Sequence, residues 1–476
     1  MISDMKPFRL AGNIYYIGCR RESSHMIDTG DGLILIDTGS DDKVEALVES
    51  IGMLGYRVED IKLILHSHGH YDHSGASGKL VELSGAKTYV HEKDVKYLFG
   101  KFQPDFGYRD GDVIRLGNTE ILCLETPGHT EGTVSFFFWV EENGKRYRAG
   151  MFGGAGVNQI KLKYLREREL SYFQRAQFLE SIARLKSEPV DIFLGNHSWN
   201  NKTPEKYQLS LTSEENPFID STAWVSFLEE CEQLLESAME KESKDGFINF
   251  AHRGASEYAP ENTMMAFSLG MYMGANGIET DVQLTKDGVP VLFHDDKLLR
   301  VTGQEGSIGD YTYEELRAFD VAKGELTDKI LKLEDFLTHF GFRDITFAIE
   351  LKNADAAEVT AQLIRKYGIG KKTTVTSFKY DALLRIRACA PELKTGLLTG
   401  NVDDELLVRL RADGIDELCP RATLVTRENV EKWRRMGFHV RAWGVANEQL
   451  MKAACDAGVN GMTVNFPDKL RAYLSE

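Results

Sequence analysis

The densest chemistry in this chain is Ser67-His68-Gly69-His70-Tyr71-Asp72-His73, directly after the apolar run Ile61–Leu65. His68 and His70 are two apart in an extended segment, so both rings can point the same way from the end of a strand. With Asp72 and His73 they offer four nitrogen or oxygen ligands within six residues. Zinc accepts such groups at about 2.0–2.2 Å. Two more histidines stand in turn-like contexts after apolar runs: His129 in Thr126-Pro127-Gly128-His129-Thr130, and His197 in Gly195-Asn196-His197-Ser198. His25, His66 and His91 fit no ligand spacing and read as structural.

A second constellation runs from His252-Arg253-Gly254 through Glu279-Thr280-Asp281 to His294-Asp295. Glu279 and Asp281 are i,i+2 on a β run, so both carboxylates face one side. Glu350 and Lys352 repeat the spacing. Three carboxylates converging at one end of a barrel suit a hard cation, calcium or magnesium. His252 and His294 end strands and can stand over such an ion as acid and base. Arg253 can grip a phosphate oxygen pair. Together these residues read as phosphodiester cleavage in which two histidines trade a proton. Asn262-Thr263, ahead of Met264–Gly270, reads equally as a helix N-cap or a functional pair.

The elements that must position these groups differ between the two halves. In the first, short β runs (13–18, 33–37, 61–65, 87–90, 120–124 and 134–140) interleave with helical stretches such as 43–54 and 172–186. Apolar residues from Trp224 to Ala238 recur at three- and four-residue steps, which predicts an amphipathic helix over 221–244. This helix closes a first domain, 1–244, and the polar stretch Glu240–Gly246 is the boundary. A second domain, 245–476, alternates strands and helices. Its candidate strands are 247–251, 277–283, 289–293, 345–351, 373–377, 395–398, 415–418, 438–443 and 460–464. Such repeats predict a closed parallel barrel. Nine candidates exceed eight, but Thr285-Lys286-Asp287-Gly288 reads as a tight turn, making 277–283 and 289–293 a local hairpin.

The bulk figures bound the rest. At 476 residues, 42% hydrophobic and 27% charged, the chain has material for two large cores. No signal peptide and no apolar run long enough to span a membrane is present, and the six cysteines show no close pairing, so the cytoplasm is the expected compartment. A net charge of −16 argues against a nucleic-acid partner, although local positive spots can still hold one small phosphate.

Through Leu35-Ile36-Asp37-Thr38-Gly39, the His68–His73 cluster and Thr126-Pro127-Gly128-His129-Thr130, residues 8–240 resemble the metallo-β-lactamase-fold hydrolases. The resemblance implies an αββα sandwich with His68, His70 and His129 on one Zn2+. It places Asp72, His73 and His197 on a second, with Asp72 also counted among the catalytic groups and Asp37 orienting a histidine. Most of that superfamily has a bridging aspartate where this chain has Gly150-Met151-Phe152-Gly153-Gly154-Ala155-Gly156.

Residues 247–474 resemble the glycerophosphodiester phosphodiesterase family. The matching motifs are Ala251-His252-Arg253-Gly254-Ala255-Ser256, Ala259-Pro260-Glu261-Asn262-Thr263, Gly277-Ile278-Glu279-Thr280-Asp281-Val282, Leu284-Thr285-Lys286-Asp287-Gly288 and Val291-Leu292-Phe293-His294-Asp295. The resemblance implies a TIM-type (β/α)8 barrel, Ca2+ or Mg2+ on Glu279, Asp281 and Glu350, and His252 with His294 as the acid/base pair. Arg253 and Lys352 would neutralise phosphate, and Trp443 matches the family's aromatic at the barrel mouth, a position that packing alone explains equally well. Asn460 and Asn465 stand where the family has aspartates.

The expected protein is an α/β two-domain, bifunctional metal-dependent hydrolase acting on small-molecule phosphodiesters through its second domain, with an undefined substrate for the zinc domain and an open oligomeric state. Two alternatives carry forward. The zinc domain could dominate as a lactonase, thioesterase or β-lactamase-like hydrolase. Or one domain could serve as a metal-binding sensor or assembly module.

Overall fold

The computed structural model describes residues 6–98, 102–168 and 170–475, apart from the side chains of 243–245. By contacts the chain divides into two units, Met1–Lys161 with Gln174–Ser237, and Leu162–Phe173 with Ala238–Glu476.

The first unit is a two-sheet sandwich. One six-stranded sheet runs in the order Phe8–Ala11, Ile14–Tyr16, His25–Asp28, Leu33–Ile36, Ile61–Leu65 and Lys87–Tyr89. A five-stranded sheet runs Ile192–Leu194, Lys145–Met151, Val134–Glu142, Thr119–Glu125 and Asp112–Leu116. Strand alternation decides which side chains meet. Phe136, Phe138 and Val140 enter the core shared with Ile34, Ile36 and Leu65, between the sheets. Phe137 faces the other way, edge-on to Trp224 at 5.9 Å. Helices cover both outer faces: Val44–Met53 and Ser77–Ser84 bury Leu47, Ile51 and Leu80 on the first sheet. On the second, Trp224 in helix Ala223–Asp245 donates its indole N–H to Leu185 O at 3.0 Å. This is the αββα architecture.

The second unit closes. Its eight parallel strands run Ile248–His252, Gly461–Val464, His439–Ala442, Glu417–Pro420, Lys394–Thr399, Thr373–Ser377, Thr346–Leu351 and Gly277–Leu284, and the last pairs back with the first. Pro290–Leu292 pairs antiparallel with Gly277–Leu284, so the ninth run is the return arm of a hairpin and the barrel keeps eight strands. Closure leaves no open edge in this ring. Helices such as Leu333–Phe340 and Ala357–Lys366 bury Phe336, Leu337 and Ile364 against it. None of the described helices is long and apolar enough to cross a membrane. All six cysteines are free.

Candidate functional sites

Strand Ile61–Leu65 ends just before His66, and His70 is the N-cap of the one-turn helix Tyr71–Ser74, which carries Asp72 and His73. His129 follows strand Thr119–Glu125 by way of Gly128. At Gly128, φ is +143° and a Cβ would lie 2.5 Å from the Phe178 backbone, so only glycine lets this turn press against helix Gln174–Leu185. His197 follows strand Ile192–Leu194.

These segments bring six predicted residues into two trios. His68, His70 and His129 have ligand atoms within 4.8 Å of one another, as do Asp72, His73 and His197. Backbone carbonyls turn the rings inward. His68 Nδ1 lies 2.9 Å from Gly153 O, His129 Nδ1 2.7 Å from Gly156 O, and His197 Nδ1 3.1 Å from Arg21 O. His73 Nδ1 is held by Asp37 Oδ2 at 2.8 Å, while Asp37 Oδ1 accepts the Ser67 backbone N–H at 2.7 Å. Asp37 does this from the left-handed region, φ 56°, where a non-glycine residue is uncommon. His68 Nε2 is buried with no hydrogen-bond partner, and His70 Nδ1 faces His129 Nε2 at 3.1 Å. Imidazole nitrogens crowded this way suit a borderline-soft divalent cation.

The electrostatics agree. Burial, reinforced by the neighbouring rings, pushes His68 well down, His70 to about 4 and His129 to about 3, so these rings stay neutral donors. At His73 burial acts the same way, but Asp37 outweighs it and the pKa rises. Burial raises Asp72, yet His73 and His197 hold its carboxyl below the ordinary range.

The glycine stretch where a bridging aspartate was absent has a steric logic. A Cβ on Gly153 would fall 1.9 Å from Val134 O, and one on Gly154 2.7 Å from His129 Cβ. No side chain fits there, and the freed carbonyls orient His68 and His129 instead. Trp199 stacks on His197 at 4.3 Å and is exposed at the rim. His25, His66 and His91 are structural: His25 meets Gly195 O, His66 lies between Tyr89 O and Ser77 Oγ, and His91 caps Glu92–Tyr97.

In the barrel, register assembles the second site. His252 is the neighbour of Glu279 across two parallel strands, and Asp281 is the neighbour of Glu350 across the next pair. His252 and Glu350 stand at or next to the C-terminal ends of their strands, and register sets Glu279 and Asp281, in the middle of the longer strand Gly277–Leu284, level with them. This is the face where barrels of this kind place their chemistry. Glu279, Asp281 and Glu350 are buried with carboxylate oxygens within 4.8 Å of one another. Lys352 Nζ lies 2.7 Å from Glu350 and 3.3 Å from Asp281, and Arg253 Nε lies 3.4 Å from Asp281. Lys352 and Arg253 touch the three buried carboxylates, and Arg441, itself bound to Glu417, adds a more distant positive charge at Glu279. Burial and mutual repulsion raise Glu279 and Glu350, while Lys352 and Arg253 overcome burial to hold Asp281 low. An all-oxygen, under-neutralised trio fits a hard divalent cation.

His252 Nε2 stands 3.9 Å from Glu279. Its Nδ1 lies 2.6 Å from Asn465 Oδ1, which also accepts from Ser256 Oγ at 3.0 Å. Burial first, then the Arg253 charge, lower His252 to about 4. His294 Nδ1 is held by Asp295 at 2.7 Å. Glu261, His294 and Asp295 also cluster, but Arg300 binds both Glu261 and Asp295, and Arg253 binds Glu261 at 2.9 Å, so their charge is already met.

Sequence reasoning missed some of these contributors. Asn465 registered only as a departure, yet it fixes His252. Asn262, at φ 57°, donates to Asp281 at 2.9 Å and accepts from Thr280, whereas Thr263 is the N-cap of Met264–Tyr272. The pair therefore splits into one site residue and one cap. Asn460 accepts the Val440 N–H at 2.9 Å, a structural role. Trp443 donates to Thr399 O at 3.1 Å and meets Phe378 edge-on at 4.8 Å, on the strand-end side of the barrel.

Comparison with known proteins agrees with this geometry. The Glycerophosphoryl diester phosphodiesterase family matches residues 252–469, and the Metallo-beta-lactamase superfamily matches 17–139. A protein named glycerophosphodiester phosphodiesterase from Caldanaerobacter subterraneus subsp. tengcongensis is 34% identical over 232 residues, 46% of this chain and 94% of that one. The Bacillus subtilis protein YqiK is 35% identical over 237 residues, 47% of this chain and 97% of its own length. The FEZ-1 metallo-beta-lactamase of Legionella gormanii aligns at 30% identity over 51% of this chain and 98% of that one, with a TM-score of 0.46. Residues 17–139 match the Metallo-beta-lactamase superfamily, the chain is a hydrolase, and through its barrel it belongs to the glycerophosphoryl diester phosphodiesterase family.

Proposed function

We propose that the half spanning 245–476 hydrolyses glycerophosphodiesters to glycerol 3-phosphate and an alcohol, and that the half spanning 1–244 is a zinc hydrolase with its own substrate. The observation that carries the first reading is the register that sets His252 beside Glu279 and Asp281 beside Glu350. Glu279, Asp281 and Glu350 would hold calcium or magnesium, which supplies charge neutralisation to phosphate oxygens. Lys352 and Arg253 add positive charge at the same end. His252, with Nδ1 occupied by Asn465, presents Nε2 as the base that takes the proton of the attacking glycerol hydroxyl. His294, with Nδ1 on Asp295, presents Nε2 to protonate the departing alcohol oxygen. Phosphorus gains one P–O bond and loses another, and water then opens the cyclic phosphate. Trp443 and Phe378 offer an apolar edge to the alcohol.

For the N-terminal half, His68, His70 and His129 would hold one zinc and Asp72, His73 and His197 a second, supplying Lewis acidity. Support comes from the unpartnered Nε2 of His68 and the carbonyls that turn His68, His129 and His197 inward. A lactonase, thioesterase or amide hydrolase is the chemistry such a site suits, with Trp199 at its rim.

The test is glycerophosphocholine hydrolysis by the full-length chain. His252→Ala should lose about 10²- to 10⁴-fold in rate, the usual worth of general acid–base catalysis. His68→Ala should leave that rate intact. The reverse pattern would overturn the assignment.

A further inference from the structure

The barrel has a second charged cavity, at the end opposite the carboxylate trio. It is about 200 Å³ and is lined by Arg166, Tyr172, Lys371, Lys372, Lys394 and His439. Thr346, Thr373, Lys394, Glu417 and His439 are the first residues of their strands, whereas Glu350 is next to the last residue of its strand and Asp281 is level with it in register. Part of the wall comes from segment Leu162–Phe173, which belongs to the barrel unit although its sequence neighbours belong to the sandwich. Phe173 seats this segment edge-on to Phe438 at 5.4 Å, and Tyr172 lies under Lys394 at 4.3 Å.

One cation of this cavity, Arg166, has no acidic partner among the described residues. Glu417 is met by His439 Nδ1 at 2.8 Å and Arg441 Nε at 3.2 Å. Asp416 is met by Lys394 at 3.2 Å and by the Thr395 N–H at 3.1 Å. Arg166 has only neutral partners: Nε donates to the Tyr172 hydroxyl at 3.2 Å, and Nη2 meets His439 Nε2 at 3.3 Å. Because His439 Nδ1 donates to Glu417, its Nε2 is an acceptor, so the contact is a guanidinium against a neutral ring. Lys372 donates to the Arg343 carbonyl and feels the Asp344 charge. In a chain of net charge −16, cations gathered at one strand end repel one another unless an anion joins them.

The geometry points to a binding site for a small phosphate-bearing anion at this end of the barrel, with Arg166 as its fork-shaped donor and Lys394 and Lys372 beside it. Size narrows the class, because drug-sized ligands occupy pockets of about 300–1,000 Å³. Free phosphate or a short-chain phosphate monoester fits; a nucleotide does not. The site lies away from the groups assigned to phosphodiester cleavage, and it stands whether or not that assignment holds. Occupancy ties segment Leu162–Phe173 to five barrel strands at once.

Hydrogen exchange on the full-length chain tests this with inorganic phosphate and glycerol 3-phosphate, each against potassium chloride at matched ionic strength. Either anion at ten times its Kd should slow exchange across residues 162–173 by about tenfold. Slowing by phosphate alone assigns the free ion, and slowing by the ester at lower concentration assigns the monoester. Arg166→Met should abolish the response, while His252→Ala, at the other end, should keep it. If Arg166→Met opens the segment even in chloride, Arg166→Lys is read instead and should give a weakened response, since a point charge lacks the fork. No slowing with either anion, or slowing that survives Arg166→Met, overturns the site.

Discussion

Asn465 Oδ1 lies 2.6 Å from His252 Nδ1, so the ring that faces the carboxylate trio is oriented by a neutral amide and not by a carboxylate. An amide oxygen fixes the tautomer as well as an acid does. It adds no negative charge to stabilise the imidazolium. Burial and Arg253 therefore outweigh the Asn465 hydrogen bond and the Asp281 charge, and His252 sits at about 4.

This sets the acid side of the pH profile. His252 must be neutral to act as a base, so kcat/KM for a glycerophosphodiester should hold down to pH 4 or so before it falls. Asn465→Asp adds a carboxylate at Nδ1 and should move that limb to higher pH. A limb that stays put in Asn465→Asp would show that His252 is not the titrating group.

Lys352 is the nearest compensation for the buried trio. Lys352→Met leaves three carboxylates with Arg253 as the remaining cation in direct contact, and breaking a buried charge pair costs about 3–5 kcal/mol. The variant should melt well below the parent in chelator, and added Ca2+ or Mg2+ should recover part of the loss. Differential scanning calorimetry with and without the ion reads both effects.

Asp37 holds His73 Nδ1 and the Ser67 N–H together. Asp37→Ala frees the ring and should weaken metal binding at the Asp72–His73–His197 trio by about 10- to 100-fold. Element-resolved metal analysis should show one of two zinc equivalents reduced and the barrel's ion unchanged.

Chelation should separate the two halves by metal type. Dialysis against a strong zinc chelator followed by Ca2+ or Mg2+ should restore phosphodiesterase turnover without restoring hydrolysis of lactone, thioester or nitrocefin substrates, and Zn2+ should restore the latter. Recovery of both by zinc alone would contradict hard-cation use in the barrel.

Much of this was legible because the chemistry is written in short range. The His68–His73 run carries four ligand-type residues on one strand end, and Glu279-Thr280-Asp281 carries two on one strand face. Strands Ile61–Leu65 and Thr373–Ser377 show the apolar and β-branched runs that define them, and the turn at Asp287-Gly288 was enough to reduce nine strands to eight. What escaped depends on distance or on polar cover. Asn465 meets His252 across 213 positions, and an asparagine carries no ligand signal of its own. Arg300 looks like any surface helix residue until Glu261 and Asp295 fold against it. Strand Lys145–Met151 opens with the exposed Lys145 and Arg146 and carries the half-buried Arg148, which hides its period.

The segment Leu162–Phe173 has a practical consequence for anyone dissecting this chain. A gene split at residue 245 would release a barrel without the piece that supports Phe438 and His439 from below. Excised halves that fail to turn over would then be reporting a missing floor, and the chemistry of each half is best judged by point variants in the intact polypeptide.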